Sequence, residues 1–137
     1  MPRFVLLLHD CPGDKPRPTH CDLMFETGES LATWALSMLP QDWRGLMDAP
    51  QIQLALSNQV AAERLPNHRK AYLEYEGPVS GDRGSVRRLD TGTYSTASSP
   101  YEFAINGNML RGTILLQPPT ETNGTWQLSF AAASMPG

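Results

Sequence analysis

The amino-acid sequence predicts a mostly β protein: a single-domain antiparallel barrel of about eight strands with one or two short helices. Three observations predict it. Apolar segments are short and recur at close, regular spacing, each bounded by Gly, Asn, Pro or Ser. Twelve prolines and 11 glycines among 137 residues supply many turns. Several segments alternate side chains with the period of two that a strand requires. Hydrophobic residues make up 40% and charged residues 18%, the balance of a globular protein, and 137 residues suffice for one domain, 1–137, with its own core.

Taken in order, residues 3 to 9, "RFVLLLH", form a continuous apolar run suited to a buried strand ending on a histidine. "DCPGDKPRPT" is a loop, because its prolines and glycine prevent regular structure. In "HCDLMFE", 20 to 26, a strand sends Cys21, Leu23 and Phe25 to one face and His20, Asp22, Met24 and Glu26 to the other. After the "TGES" turn, "LATWALS" (31 to 37) alternates as a third strand. The segment 41 to 50 has no clean period, "IQLALS" (52 to 57) reads as a strand, and "QVAAERL" (59 to 65) as a short helical turn. "HRKAYLEYE" (68 to 76) reads as a strand with His68, Lys70, Tyr72, Glu74 and Glu76 on one side, followed by the turn-rich "GPVSGDRG". "SVRRLD", "YEFAING", "NMLRGTILLQ" and "TWQLSFAA" complete the strands, with "NGN" at 106 to 108 as a hairpin signal and a short tail at the end.

The formal net charge of −3 leaves no global basic field, so a nucleic-acid contact would need a local patch. The only cysteines, Cys11 and Cys21, flank a Pro-rich loop and read as thiols in a reducing cytoplasm rather than as a secreted disulfide framework. "FVLLL" is too short to span a bilayer and runs at once into His9 and Asp10, unlike a signal peptide, so a cytoplasmic protein with no membrane contact is expected.

Metal binding needs neutral imidazoles and a carboxylate converging on one point. His9, His20 and Asp22 meet that need if the strands flanking the loop pair, with Cys11 as a soft ligand favouring zinc or simply a loop thiol. His68 and Tyr72, four apart on one strand face, suit phosphate contact or proton donation. The bland alternative is a solvated polar face. "SGDRGS" lacks the strand-loop-helix setting of a nucleotide loop and reads as a turn.

Together, "HD…HCDLMFE", "LATWALSMLP", "NHRKAYLEYEGPVSGDRGSVRRLDTGTY" and "LRGTILL…TWQLSF" resemble the 3′-phosphoesterase domain at the N-terminus of bacterial DNA ligase D. The resemblance runs in the same order over nearly the whole chain and is most specific from His68 to Tyr94. It implies a β-barrel with a manganese- or zinc-dependent site that trims 3′-phosphates and 3′-ribonucleosides from primer ends. The family's metal pattern, His then His-x-Asp, falls on His9, His20 and Asp22, and its later histidine and tyrosine on His68 and Tyr72. Three features depart from it. Met24 stands where the family holds phosphate with an arginine, Met38 stands at its lysine, and the loop between the two histidines is longer. A thioether cannot replace a bidentate guanidinium. Arg69 is the substitute cation expected from the sequence, so Met24 and Arg69 mark the expected substrate-binding positions.

The expected function is therefore a metal-dependent phosphoesterase acting on nucleic-acid 3′ ends or a small phosphate ester in DNA repair, as a monomer that works with repair proteins. The alternative is a non-catalytic metal-binding module gripping a nucleic-acid end or a protein partner.

Overall fold

The apolar run 4–8 is buried on both of its faces, which is why it lacks alternation. In the computed structural model, which describes residues 1–11, 13, 17–46, 52–81, 83–96, 98–121 and 124–133, this run lies in β1 (Arg3–Asp10). β2 (His20–Thr27) and β3 (Ser30–Leu36) follow as antiparallel neighbours. The two-residue strands β4 (Met38–Leu39) and β5 (Gln53–Leu54) pair with each other, with a 3-10 segment at Gln41–Leu46 between them. Then come β6 (Gln59–Arg69), a 3-10 turn at Lys70–Leu73, β7 (Gly77–Pro78), β8 (Ser85–Thr96), β9 (Glu102–Gly107), β10 (Arg111–Gln117) and β11 (Trp126–Ala132).

Hydrogen bonding runs β1-β2-β3-β6-β11-β10-β9-β8, and β8 returns to β1, so eight antiparallel strands close a barrel with β7 added beside β8. Closure removes exposed sheet edges. Inside the barrel, Phe4, Leu6 and Leu8 of β1 meet Cys21, Leu23 and Phe25 of β2, with Phe25 stacked on Phe103 at 3.9 Å between ring centroids. On the outside, Val5, Leu7, Met24 and Leu31 form a second apolar cluster under Leu73, Tyr72, Val79 and Val86. The chain from 70 to 79 thus covers one part of the barrel's outer wall.

The barrel is as the sequence predicts, its short helical turns lie at other places than the expected one, and three local expectations are corrected. Residues 59–65 are strand rather than helical turn: Val60 and Ala62 are buried, and β3 and β11 pair on either side, so non-local pairing overrides local pattern. The strand expected over 68–76 ends at Arg69, because the 3-10 turn brings Tyr72 and Leu73 onto the outer apolar cluster. The strand expected at 52–57 shrinks to Gln53–Leu54. The tail at 134–137 and the segment 47–51 lie outside the described residues.

The "NGN" signal does mark the β9–β10 turn, and a buried carboxylate holds it. Asp90 accepts backbone N–H bonds from Asn108, Met109 and Leu110 at 3.0, 3.1 and 2.8 Å. Gly107 allows this approach, since a Cβ there would collide with the Asp90 carboxylate and the Phe4 ring.

Candidate metal centre

Strand register builds the site. His9 and His20 are directly opposed across β1 and β2, and Leu7 opposes Asp22, so Asp22 is the diagonal neighbour of His9 on the outer face of the barrel. On β6, His68 opposes Leu31 of β3 and comes to the same wall. A register shift between Leu31 and Thr33 against β6 accompanies this placement. The three histidines of the chain, with Asp22 and Cys11, line one cavity of about 280 Å³, and Arg17, Arg83 and Leu65 complete it.

Each imidazole is oriented by a backbone carbonyl. His9 Nε2 donates to the Arg83 carbonyl at 2.9 Å, His20 Nδ1 to that of Pro18 at 2.8 Å, and His68 Nδ1 to that of Pro66 at 2.9 Å. That choice of tautomer leaves the opposite ring nitrogen of each as a lone pair, the arrangement that supports metal-ligating histidines. For His9 and His20 those nitrogens face Asp22: His9 Nδ1 is 3.6 Å from Oδ2, and His20 Nε2 is 3.1 Å from Oδ1.

Two neutral rings pointing lone pairs at a carboxylate repel it unless a cation lies between them. Asp22 is only 2% exposed, and its Oδ1 is a buried oxygen with no hydrogen-bond partner among the described residues. A tetrahedral zinc with donors at about 2.0–2.1 Å separates neighbouring donors by about 3.3 Å, and the two nitrogen–oxygen separations at Asp22 lie on either side of that value. Protons serve the same need in its absence. Burial pushes the Asp22 carboxyl up, but His20 and His9 outweigh it and bring it from 3.8 down to about 2. In return, the Asp22 carboxylate raises His9 above 6.5.

Cys11 stands on the other side of His20. Its Sγ is 4.0 Å from His20 Nδ1, and its backbone N–H donates to Thr19 Oγ1 at 3.0 Å, which draws the two ends of the loop together. His9, Cys11 and His20 each bring a ligand atom within 4.8 Å of the others, so this group could hold a metal ion. Burial raises the Cys11 thiol. Cys21 points into the core, where burial pushes it up to about 12.

The remaining expected site residues separate. Tyr72 stacks edge-on against His68, with ring centroids 5.9 Å apart, but does not line the cavity and packs on the outer apolar cluster. The four-residue spacing of the pair spans a strand end and a 3-10 turn rather than one strand face. Met24 shares the face of His20 and Asp22 as expected, yet it is 1% exposed within the outer apolar cluster, so it offers no surface to a substrate. Arg69 is exposed at the end of β6, opposite Ser30, and is not among the cavity residues. Among the described residues, the cations that line it are Arg17 and Arg83, both contributed by loops. Sequence reasoning passed over Arg17 because a loop arginine in a Pro-rich segment has no periodic signal.

A second cavity of about 560 Å³ adjoins the first and shares Arg17 and His20 with it. Arg64, on its lining, places its guanidinium 4.2 Å from the Trp34 ring centroid. No helix among the described residues is long and apolar enough to cross a membrane. No protein-family model matches this chain, and no curated protein matches it either.

Proposed function

We propose that this chain is a metal-dependent phosphoesterase that removes 3′-phosphates or 3′-ribonucleotides from nucleic-acid ends. The observation that carries the reading is the buried Asp22 carboxylate, whose Oδ1 accepts no hydrogen bond among the described residues and whose two oxygens are each faced by an imidazole whose outer nitrogen is fixed on a backbone carbonyl. His9 Nδ1, His20 Nε2 and Asp22 would hold a divalent transition metal, manganese or zinc. Bound there, the metal supplies Lewis-acid polarisation of a phosphoryl oxygen.

His68 does the proton work. Its Nδ1–H is committed to the Pro66 carbonyl, so its Nε2 lone pair is the one that would take a proton from the water attacking phosphorus and return it to the oxygen that departs as its bond to phosphorus breaks. Tyr72 acts through His68 by holding the ring edge-on, a positioning role rather than a catalytic one. The adjoining larger cavity gives the rest of a nucleotide a place beside the phosphate. The test is incubation of purified, manganese-loaded protein with end-labelled primer-templates bearing a 3′-phosphate or a 3′-ribonucleotide. Loss of the terminal group in the wild type but not in Asp22→Asn is expected, and intact ends under these conditions would overturn the proposal.

A second reading, a metal-binding module without turnover, is favoured by one observation: Cys11 lies within ligand reach of His20 and His9. A His9–Cys11–His20 set would leave out the Asp22 carboxylate on which the phosphoesterase reading rests. Binding through Cys11 would take His20 Nδ1 from Pro18, so the two modes exclude each other at His20. Cobalt substitution separates them, because thiolate ligation gives an intense near-ultraviolet charge-transfer band that Cys11→Ser abolishes. A cobalt spectrum identical in wild type and C11S rules the module's ligand set out.

A further inference from the structure

Arg17 and His20 line both cavities, so the two meet at Arg17. Its guanidinium makes a two-pronged pair with Glu63 of β6, Nη1 to Oε1 at 3.2 Å and Nη2 to Oε2 at 3.3 Å. This parallel fork is the geometry by which arginine takes two oxygens of a phosphate. Both side chains are about half-exposed, and an ion pair of that kind contributes little to stability. It can therefore open when a better anion arrives.

Arg83, which lines the metal cavity, and Arg64, which lines the larger one, are engaged differently. The Arg83 guanidinium bonds its own turn, Nε to the Ser80 carbonyl at 2.7 Å and Nη2 to Ser80 Oγ at 3.2 Å, while its carbonyl holds His9. Arg64 lies over Trp34 and donates to Asn67 Oδ1 at 3.2 Å.

We propose that Arg17 is the phosphate-binding cation of the metal cavity and that Glu63 holds it ready, surrendering the guanidinium fork to the incoming phosphate. The proposal rests on the phosphoesterase reading and deepens it. Glu63 mimics the anion, keeps the guanidinium extended at the cavity, and sets a threshold that a monoanion passes less readily than a phosphate dianion.

The experiment titrates inorganic phosphate into manganese-loaded wild type, Arg17→Ala, Arg17→Lys and Glu63→Gln by calorimetry, with manganese affinity measured separately. Arg17→Ala should weaken phosphate binding about tenfold or more, and Arg17→Lys, which keeps charge without the fork, should fall between. Glu63→Gln should tighten phosphate binding severalfold, since the competing carboxylate is gone. Manganese affinity should stay within about twofold throughout. Equal phosphate affinity in wild type and R17A overturns the role of Arg17 and leaves the phosphoesterase reading standing. Equal weakening in R17A and E63Q shows that the pair only braces the loop and also overturns it. Wild type that binds manganese but no phosphate removes the phosphoesterase reading and this proposal together.

Discussion

His9 and His20 face each other across a single strand pair, with ring centroids 4.9 Å apart, and each ring is tied at its far nitrogen to a backbone carbonyl from a different loop. Neither ring can turn away from Asp22 without losing that hydrogen bond. The cluster is thus held in place by the fold itself, which would lower the ordering cost of binding an ion.

The first consequence is stoichiometric metal binding. Purified protein should take up about one manganese or zinc ion per chain, and His20→Ala or Asp22→Asn should weaken that uptake about 100-fold or more. Elemental analysis after desalting, with circular dichroism as a control for folding, checks it. Wild-type protein that stays metal-free in excess zinc and manganese contradicts it.

Metal affinity should depend on pH in a definite direction. Asp22 raises His9 above 6.5, so a proton competes with the metal for Nδ1, and affinity should climb as pH rises from about 6 to about 8. Metal-free protein should show the opposite trend: the charged His9 stabilises the fold fully below pH 6.5, and that contribution is lost as pH rises through the raised value. Asp22, lowered to about 2, contributes stability that is present above 3.8 and lost as pH falls toward 2. Urea denaturation across this range, with and without zinc, measures both limbs.

Asp90 should matter for stability and not for metal binding. Replacing it by alanine leaves three backbone N–H groups of the β9–β10 turn without their acceptor, at a cost of about 2–4 kcal/mol. The unfolding midpoint in urea should drop accordingly while zinc affinity of the folded protein is unchanged. A drop below about 0.5 kcal/mol would mean that water replaces the carboxylate freely.

Met24 gives the sharpest contrast between sequence position and surroundings. An arginine there enters a cluster of Val5, Leu7, Leu31 and Leu73, so Met24→Arg should destabilise the fold by about 3 kcal/mol or more, whereas Met24→Leu should cost less than about 1.5 kcal/mol. Thermal denaturation of the two variants tests this. If Met24→Arg is as stable as wild type and hydrolyses 3′-phosphate ends faster, the guanidinium escapes the cluster and reaches the cavity.

The barrel and the meeting of His9, His20 and Asp22 on one wall were legible in the sequence because both rest on period two. Alternation in "HCDLMFE" separates Cys21, Leu23 and Phe25 from His20 and Asp22, and a loop bracketed by His9 and His20 can join two strands only by bringing those ends together. The unbroken apolar run of β1 likewise announces burial on both faces, although not what covers the outer one. Tertiary structure decided the rest. Residues 59–65 became strand because β3 and β11 each needed a partner there, a demand that lies outside the segment itself. Tyr72 and Leu73 left the expected strand because apolar area on the outer wall was better covered by a turn. The same cover buried Met24 and left loop arginines at the cavity. Local pattern reports which way a side chain points from its own strand, whereas its neighbours are set by contacts between segments distant in sequence.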